Sequence, residues 1–480
     1  MTTRRVIGPF NRVEGDLEVS LDIDAGQVIA AYVNSPLYRG FEQILQGKVP
    51  ADALTLVPRI CGICSVAQSA AAAMALSDAS GIVAPANGRL AANLTLATEN
   101  LADHLTHFYL FFMPDFAREE YANRPWHAEA AARFRAVSGS AANVVLPARA
   151  SFMRMMGLLA GKWPHTLAVQ PGGSSRPLVS SEVFRLRRTL RDFRRFIEEV
   201  SLGGTLEEFS ALSTRDGLDT WQHSHIGDLP RFLHIADDLG LWSAGRGTDA
   251  FISYGSYAEP DGQLFPSGLW DGKLKPLELA RISEDISHAW YAATGTAQHP
   301  AAGATLPVAD KAGAYSWCKA PRLGGQVVET GAVARLLIGG QPLIRDIVNT
   351  SGGSVAARVL ARWLEIALVL PAMDRWLDEI EPGAPWCITG ELPDEAEGVG
   401  LIEAARGSLG HWLSVKRGRI HRYQIIAPTT WNFSPRDENN TPGALEQALI
   451  GLPLTAGEPI PALIHHVVRS FDPCMVCTVH

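Results

Sequence analysis

Cysteine is scarce in this sequence, with six residues in 480. The first residues carry Arg4-Arg5 but no apolar segment typical of a signal peptide. So few cysteines without a secretory leader argue against structural disulfides and predict a cytoplasmic protein with reduced thiols.

Long apolar runs and excess positive charge are also absent. No run approaches the roughly 18–20 apolar residues that span a bilayer, so we expect no direct membrane span. The chain has 42 Lys and Arg against 50 Asp and Glu, which gives a net charge of −8. This balance gives no support to a nucleic-acid-binding surface. At 47% hydrophobic and 19% charged residues, the composition is that of an ordinary globular protein.

Four of the six cysteines form two C-x-x-C pairs, Cys61 with Cys64 and Cys474 with Cys477. This spacing lets two thiolates from one short loop bind a single metal ion. A zinc module usually has its two pairs about 15–20 residues apart, whereas most of the chain separates these. A thioredoxin-like redox site needs only one pair. The sequence therefore predicts a shared four-thiolate site, with zinc, iron–sulfur clusters and other thiophilic metals all open at this point.

Periodicity and turn residues predict the main secondary structure elements. Alternating residues predict two hairpins, over Leu17 to Val33 and over Leu413 to Pro428. Helices are predicted after Cys64 and over 88–113, 181–200 and 354–371, the last with Ser354 as N-cap and Pro371 as the stop. The glycine pairs at 172–173 and 324–325 lack the frame of a phosphate-binding loop and are interpreted as turns.

The two ends and several blocks between them resemble the large subunits of nickel–iron hydrogenases, along nearly the whole chain. The blocks are Arg12-Val13-Glu14-Gly15, Arg39-Gly40-Phe41-Glu42, Lys162-Trp163-Pro164-His165, Tyr315-Ser316-Trp317-Cys318-Lys319, Ala405-Arg406-Gly407 and Pro428-Thr429-Thr430-Trp431-Asn432. The resemblance implies an α+β, predominantly helical fold with a central helix bundle and β segments near both chain ends. It also implies one compact, multi-lobed domain over residues 1–480.

The resemblance implies a metal centre and a reaction. Cys61 and Cys474 would bind nickel alone, and Cys64 and Cys477 would bridge it to an iron that carries carbon monoxide and cyanide. The reaction is heterolytic cleavage of dihydrogen, in which Cys474 receives the proton and Glu14 passes it on. Burial raises the pKa of a carboxyl group, which suits such a relay. Electrons would leave through an iron–sulfur small subunit, because this chain has no further cluster-binding cysteines.

The resemblance also assigns the surroundings of the metals. Arg406 would stand over the open position as a fixed cation, Asp103 would pair with it, and Asp472 belongs to the same surroundings. Thr429 would donate to a cyanide on iron. Without the resemblance, Glu14 is read as a surface carboxylate and Asp103 as part of a solvated helical face.

A magnesium ion is implied by the same resemblance, with Glu42, the carbonyl of Ile425 and the side chain of His480 as ligands. Oxygen-rich ligation suits this ion. Without the resemblance, Glu42 would be interpreted as a solvent-exposed glutamate. Cys318 and Cys387, which stand alone, are interpreted as small buried residues.

Departures from the family pattern predict a regulatory, dihydrogen-sensing hydrogenase with a sensor histidine kinase as signalling partner. Gln68 stands where most of the family has histidine. Without the resemblance, it would be interpreted as an ordinary glutamine on a helix surface. Ile63 and Phe111 replace the smaller valine and leucine of many relatives and would narrow the gas route, although both could simply fill core. The alternative is an energy-harvesting uptake hydrogenase. A non-catalytic respiratory-complex scaffold is disfavoured, because such relatives lack the four cysteines.

Overall fold

The computed structural model describes residues 2–292, 297–454 and 461–480. About 45% of the chain is helix and 18% is strand, so the predicted α+β fold with predominant helix is confirmed. Among the described residues, no helix combines the length and apolar composition that a membrane span requires.

The strands are short and form small antiparallel sheets. They are β1 (Thr3–Ile7), β2 (Glu18–Asp24), β3 (Gln27–Asn34), β4 (Val169–Gln170), β5 (Gly173–Ser174), β6 (Phe251–Ser253), β7 (Ser256–Glu259), β8 (Gly262–Phe265), β9 (Gly268–Trp270), β10 (Leu274–Lys275), β11 (Ile282–Asp285), β12 (Ala320–Leu323), β13 (Ala396–Ala404), β14 (Gly407–Lys416) and β15 (Arg419–Ile426).

The α-helices range from single turns to long buried rods. They are α1 (Phe41–Leu45), α2 (Ala53–Leu56), α3 (Ser65–Ser80), α4 (Ala86–Thr106), α5 (His127–Phe134), α6 (Ala142–Phe152), α7 (Arg154–Leu159), α8 (Ser180–Phe196), α9 (Leu206–Ser210), α10 (Arg215–Ser224), α11 (Asp228–Asp238), α12 (Ala332–Ile338), α13 (Pro342–Ser351), α14 (Val355–Asp378), α15 (Pro428–Asn432), α16 (Ala444–Leu449), α17 (Ala462–Ser470) and α18 (Met475–Thr478). Short 3-10 helices cover Pro50–Asp52, Val57–Arg59, Met113–Ala117, Glu119–Tyr121, Leu279–Arg281 and Pro300–Ala302.

Helix α14 is buried along nearly its whole length and forms the centre of the core with α4. Ser354 is its N-cap, as predicted, and accepts a hydrogen bond from the amide of Ala357 at 3.3 Å. The predicted stop at Pro371 is wrong, because the helix runs on to Asp378. Proline in a helix interior costs about 3 kcal/mol. Burial of Trp376 and Leu377 beyond it, at 1% exposure each, recovers about 1.5–3 kcal/mol per side chain.

The predicted helices 88–113 and 181–200 each exist, but neither is α-helical to its end. Helix α4 passes into a π-helical turn over His107–Phe112, and α8 passes into another over Ile197–Leu202. Such turns insert an extra residue per turn and are common at functional sites. Apolar periodicity alone predicted both helices and could not show the change of winding.

Both predicted hairpins are confirmed, and each belongs to a larger sheet. The first hairpin, β2–β3, is joined by β1, and the second, β14–β15, is joined by β13. Strand β13 packs against α3 at very short range, because a Cβ at Gly398 or Gly400 would lie 2.0 Å or 1.9 Å from a backbone oxygen of the helix. Glycine at these positions therefore lets α3 touch the sheet directly.

The two ends of the chain meet in the interior. Glu14 and Cys474 form a parallel β-bridge, and the amide of Arg39 donates to the carbonyl of Val479 at 2.9 Å. Helices α17 and α18 are buried almost throughout. The C-terminal C-x-x-C pair is thereby carried to the first one.

Candidate metal centre

Four buried thiols meet at one point, although their cysteines stand far apart in sequence. Cys61 and Cys64 precede α3, and Cys474 and Cys477 lie at the start of α18 and within it. The Sγ–Sγ distances are 3.3 Å for Cys64 to Cys477, 3.5 Å for Cys474 to Cys61 and 2.9 Å for Cys474 to Cys477. All four sulfur atoms lie within 4.8 Å of one another, and all four cysteines are free thiols.

This donor set fits a thiophilic metal. Hydrogen bonds from the other thiols lower the pKa of Cys61, whereas the same crowding raises the pKa of Cys64. Four thiolates this close repel one another, so a cation among them is needed for all four to ionise together. Sulfur ligands select soft and borderline metals over magnesium or calcium.

A buried cation lies beside the thiols. Arg406 donates from Nη1 to Asp103 at 2.7 Å, and from Nη2 to Asp472 at 3.1 Å. Its Nε also donates to the backbone oxygen of Asp472 at 2.9 Å. All three side chains are buried, so the reading of Asp103 as a solvated helical residue is wrong. Two carboxylates therefore hold the guanidinium in one place.

Glu14 lies half-buried, and its backbone pairs with that of Cys474. Its backbone is fixed by two hydrogen bonds, from its own amide to the carbonyl of Pro473 at 3.4 Å and from the amide of Met475 to its carbonyl at 2.7 Å. Burial, followed by the nearby Cys61 sulfur, raises the pKa of the Glu14 carboxyl group. A carboxyl group so shifted takes up and releases protons closer to neutral pH.

A second polar cluster surrounds the last residue of the chain. His480 Nε2 lies 3.4 Å from Glu42 Oε1, and Lys319 Nζ lies 3.1 Å from Glu42 Oε2. Glu42 is fully buried, not solvated, and accepts a hydrogen bond from the amide of Ile425 at 2.8 Å. Burial opposes ionisation of Glu42, but Lys319 and His480 outweigh it and lower its pKa to about 2. Glu42 thus lies beside His480 and the backbone of Ile425, together with a lysine that was not predicted.

Glu284 also belongs to this cluster. Its Oε2 lies 3.5 Å from Lys319 Nζ, and its buried Oε1 has no hydrogen-bond partner among the described residues. An orphaned carboxylate oxygen beside Glu42 is the kind of donor that a hard cation uses. The carboxylate-rich surroundings therefore fit a magnesium ion.

Two further predicted residues have specific hydrogen bonds. Thr429 Oγ1 accepts from the amide of Cys474 at 3.1 Å. Gln68 is buried at 1% exposure, so it is not a helix-surface residue, and its Oε1 lies 3.0 Å from His411 Nε2. His411 was not predicted, because nothing in the sequence near strand β14 marks it as a partner of α3.

The two predicted gas-route residues differ in their positions. Ile63 is half-buried against the core, and its amide lies 3.3 Å from Cys61 Sγ. Phe111 is half-buried in the π-helical turn, and its carbonyl accepts from Arg12 Nη1 at 3.2 Å. Ile63 therefore adjoins the thiols directly.

The two lone cysteines also differ. Cys318 is fully buried, as predicted, whereas Cys387 is partly exposed. Cys387 pairs through its backbone with Gly173, at the edge of the short β4–β5 ribbon. The prediction that both are buried is therefore wrong for Cys387, since a strand edge leaves one side of the residue open.

Sequence analysis missed the carboxylate that anchors the start of α3. Glu99 is fully buried and accepts from the amides of Val66 at 2.9 Å and Ala67 at 3.0 Å, and from Trp163 Nε1 at 2.8 Å. Burial raises the pKa of Glu99 to about 8. Its position one helical turn before Asp103 was the only available signal. Glu99 holds the helix that begins directly after Cys64.

Comparisons with known proteins agree with this geometry. The family model described as nickel-dependent hydrogenase matches residues 39–138 and 121–480. The periplasmic [NiFeSe] hydrogenase large subunit of Desulfomicrobium baculatum is 30% identical over 99% of this chain and 94% of its own length. The uptake hydrogenase large subunit of Azotobacter chroococcum mcd 1 is 29% identical, over 99% and 95%.

A solved structure of the [NiFeSe]-hydrogenase of Dm. baculatum superposes with a TM-score of 0.87 at 29% identity, covering 100% of both chains. The chain therefore belongs to the nickel-dependent hydrogenases, as a large subunit that activates dihydrogen at a nickel–iron centre.

Proposed function

We propose that the four thiolates hold the nickel–iron centre, with Cys61 and Cys474 on nickel alone and Cys64 and Cys477 bridging nickel to iron. The observation that carries this assignment is the meeting of four buried sulfur atoms within 4.8 Å of one another. When bound, the centre supplies the electrophilic site at which dihydrogen is split heterolytically.

The protein's own groups then move the proton and hold the surrounding charge. Cys474 receives the proton at Sγ, and Glu14, whose backbone is paired with Cys474, carries it onward. Arg406 keeps a fixed positive charge beside the thiols, because Asp103 and Asp472 hold its guanidinium from two sides. A fixed cation needs no reorganisation when negative charge develops nearby.

Thr429 is proposed to donate to a cyanide ligand of the iron, which also carries carbon monoxide. The hydroxyl oxygen accepts from the amide of Cys474 at 3.1 Å, which leaves the hydroxyl proton for another acceptor. Infrared bands of carbon monoxide and cyanide in the purified protein test the iron ligands. Thr429→Val should shift the cyanide bands, and unshifted bands would remove Thr429 from this role.

Magnesium is proposed to bind Glu42, the carbonyl of Ile425 and His480. The orphaned, buried carboxylate oxygen of Glu284 supports a cation there. Elemental analysis should find one magnesium per chain. Protein purified without chelators that contains no magnesium would contradict the site.

An iron–sulfur small subunit is the proposed partner and takes the electrons. The named relatives are large subunits. The remaining cysteines, Cys318 and Cys387, stand alone in the sequence and form no cluster-binding motif. Co-expression with an iron–sulfur small subunit should give a stable heterodimer. A large subunit that reduces a viologen dye with dihydrogen on its own would contradict this.

Two physiological roles remain for the same chemistry. Harvesting energy from dihydrogen is the better supported by the comparisons, since relatives over almost the full length include an uptake hydrogenase. Dihydrogen sensing with a histidine kinase as partner is favoured by the buried Gln68 and by Ile63 beside the thiols. A deletion strain separates them: loss of growth on dihydrogen indicates harvesting, and loss of hydrogenase gene induction indicates sensing.

The location of the protein is a related proposal. The scarcity of cysteine favours a cytoplasmic protein, whereas the relative from Desulfomicrobium baculatum is named as periplasmic. We propose the cytoplasm, and cell fractionation with marker enzymes tests it directly. Recovery of the chain in the periplasmic fraction would overturn it.

The oxygen sensitivity of a variant with a wider gas route tests the sensing role. The double variant Ile63→Val with Phe111→Leu reduces side-chain volume at both positions, so oxygen should inactivate it faster than the parent. Activity is followed as dye reduction under air. Equal survival in air would mean that the two side chains only fill space.

The ligand role of the cysteines has its own test. Cys64→Ala should give protein with little nickel and no dihydrogen chemistry. Cys318→Ala, which removes a buried thiol outside the site, is the matched control and should retain nickel. Full nickel content in Cys64→Ala would refute the assignment.

A further inference from the structure

Gln68 stands one helical turn after Cys64. Cys64 is the N-cap of α3, and the amide of Gln68 donates to the carbonyl of Cys64 at 3.1 Å. Residues four apart share one face of a helix, and their side chains lean toward its N-terminus. The Gln68 amide group is therefore on the same face as Cys64.

A line of buried hydrogen bonds leads from Gln68 to the C-terminal sheet. Gln68 Oε1 lies 3.0 Å from His411 Nε2, and His411 Nδ1 lies 2.9 Å from the hydroxyl oxygen of Tyr423. The exposures are 1% for Gln68 and 0% for both His411 and Tyr423. Water does not compete with these bonds, so their direction is decided within the three side chains.

The sheet is built to allow this contact. His411 on β14 pairs directly with Gly400 on β13, and a Cβ at Gly400 would lie 1.9 Å from the backbone oxygen of Ala71. Any larger residue at this position would push α3 away. Glycine opposite His411 thus lets the helix approach until Gln68 reaches the imidazole.

Only one direction of the hydrogen bonds satisfies all the donors. Among the described residues, His411 is the sole hydrogen-bond partner of the Tyr423 hydroxyl. If His411 Nδ1 carried the proton, the buried O–H of Tyr423 would have no acceptor, and an unsatisfied buried donor costs about 1–3 kcal/mol. Tyr423 must therefore donate to Nδ1, which leaves the proton on Nε2 to donate to Gln68 Oε1.

A neutral imidazole is required for this arrangement, because Nδ1 must accept a hydrogen bond from the Tyr423 hydroxyl. His411 is fully buried, and its two ring nitrogens each have one partner, the Tyr423 hydroxyl and the Gln68 carbonyl.

We propose that Tyr423 and His411 are positioning residues that lock the Gln68 amide with its carbonyl toward the sheet and its NH2 group toward the Cys64 sulfur. Gln68 then donates a hydrogen bond to that thiolate, which withdraws electron density from it. With the opposite amide orientation, the carbonyl oxygen would face the sulfur and repel it. This inference rests on the proposed role of Cys64 as a metal ligand.

The hydrogen-bonded series from Tyr423 through His411 to Gln68 is named the amide-orienting relay. A double-mutant cycle on the heterodimeric holoenzyme tests this relay. Tyr423→Phe removes the donating hydroxyl, and Gln68→Leu removes the amide that would contact the sulfur. Two quantities are measured: the g-values of the nickel electron paramagnetic resonance spectrum and the rate of hydrogen–deuterium exchange. Tyr257→Phe is the matched control, because its buried hydroxyl bonds Asn100 at 3.0 Å, away from Gln68.

Tyr423→Phe should shift the g-values and slow exchange by at least about threefold. In the Gln68→Leu background, the same change should have no further effect on either quantity. Tyr257→Phe should leave the spectrum unchanged. An unshifted nickel spectrum in Tyr423→Phe would overturn the relay. So would independent effects of Tyr423→Phe and Gln68→Leu, in which the exchange rate of the double variant falls by the product of the two single factors.

A second pair of variants covers the case in which Tyr423→Phe does not fold. His411→Gln keeps a donor for the Gln68 carbonyl, and His411→Leu does not. The relay predicts a larger spectral shift for leucine than for glutamine, and equal shifts would overturn it. If the parent enzyme contains nickel but catalyses no hydrogen–deuterium exchange, the proposed hydrogenase activity is refuted. The g-values of the variants still test the relay in that case.

Discussion

Replacement of Glu14 by glutamine separates proton transfer from metal binding. The backbone of Glu14 is held by Pro473 at 3.4 Å and by Met475 at 2.7 Å, and neither contact uses the side chain. Glutamine has nearly the same shape as glutamate, so both contacts should survive. We therefore expect Glu14→Gln to bind as much nickel and iron as the parent.

The expected loss of activity follows from the chemistry of the side chain. An amide neither accepts nor releases a proton near neutral pH, whereas burial raises the pKa of the Glu14 carboxyl group toward that range. Removal of a positioned acid–base group costs at least about 10²-fold in rate, equivalent to roughly 2.7 kcal/mol of activation free energy. Hydrogen–deuterium exchange should fall by this factor.

The assay follows the mass spectrum of the gas over a solution in D2O under dihydrogen. Glu18→Gln is the matched control, because Glu18 Oε2 accepts a hydrogen bond from Asn34 Nδ2 at 3.1 Å within the N-terminal hairpin. The control should exchange within about twofold of the parent. Unchanged exchange in Glu14→Gln, with full metal content, would show that protons leave by another route.

Three further changes test the structure around the site. Asp115→Asn should lower the free energy of unfolding by about 3–5 kcal/mol, because it leaves the buried Arg469 without its carboxylate partner; a loss below about 1 kcal/mol in urea titration would contradict this. Burial opposes ionisation of Asp115, but Arg469 and Arg12 hold its pKa below the ordinary value, so its stabilising effect is complete above about pH 5 and is lost as the pH falls through the folded pKa. Burial raises the pKa of Glu446 to about 7 from 4.5, so its effect on stability is most favourable below pH 4.5 and is lost as the pH rises through 7. Glu446→Gln should reduce the change of unfolding free energy with pH between about 4.5 and 7, measured by urea titration. An unchanged pH dependence would show that the Glu446 pKa is not raised. Deletion of His480 should speed the loss of nickel to a chelator, and equal retention would separate the chain end from the metal centre.

The metal centre could be predicted from the sequence because its ligands carry local signals. Each C-x-x-C pair lies within one short segment, and the two hairpins have alternating strands around glycine-containing turns. Such patterns depend only on residues that are close in sequence. The same holds for the Ser354 cap of α14, which needs only the amide three residues later.

The remaining features depend on contacts between distant segments. The helix past Pro371 depends on what Trp376 and Leu377 pack against, and not on the local preference of proline. His411 meets Gln68 across 343 residues, and Glu99 meets the start of α3 only after two helices have packed. Charged residues such as Asp103 and Glu42 look solvated in the sequence, because their buried partners cannot be identified before the chain is folded.

Anomalous diffraction at the nickel and iron absorption edges tests the central claim most directly. Crystals of the heterodimer measured on both sides of each edge should show a nickel peak among the Sγ atoms of Cys61, Cys64, Cys474 and Cys477. An iron peak should lie beside the Sγ atoms of Cys64 and Cys477. A single peak at the zinc edge among the four sulfur atoms, with no nickel or iron signal there, would contradict the account.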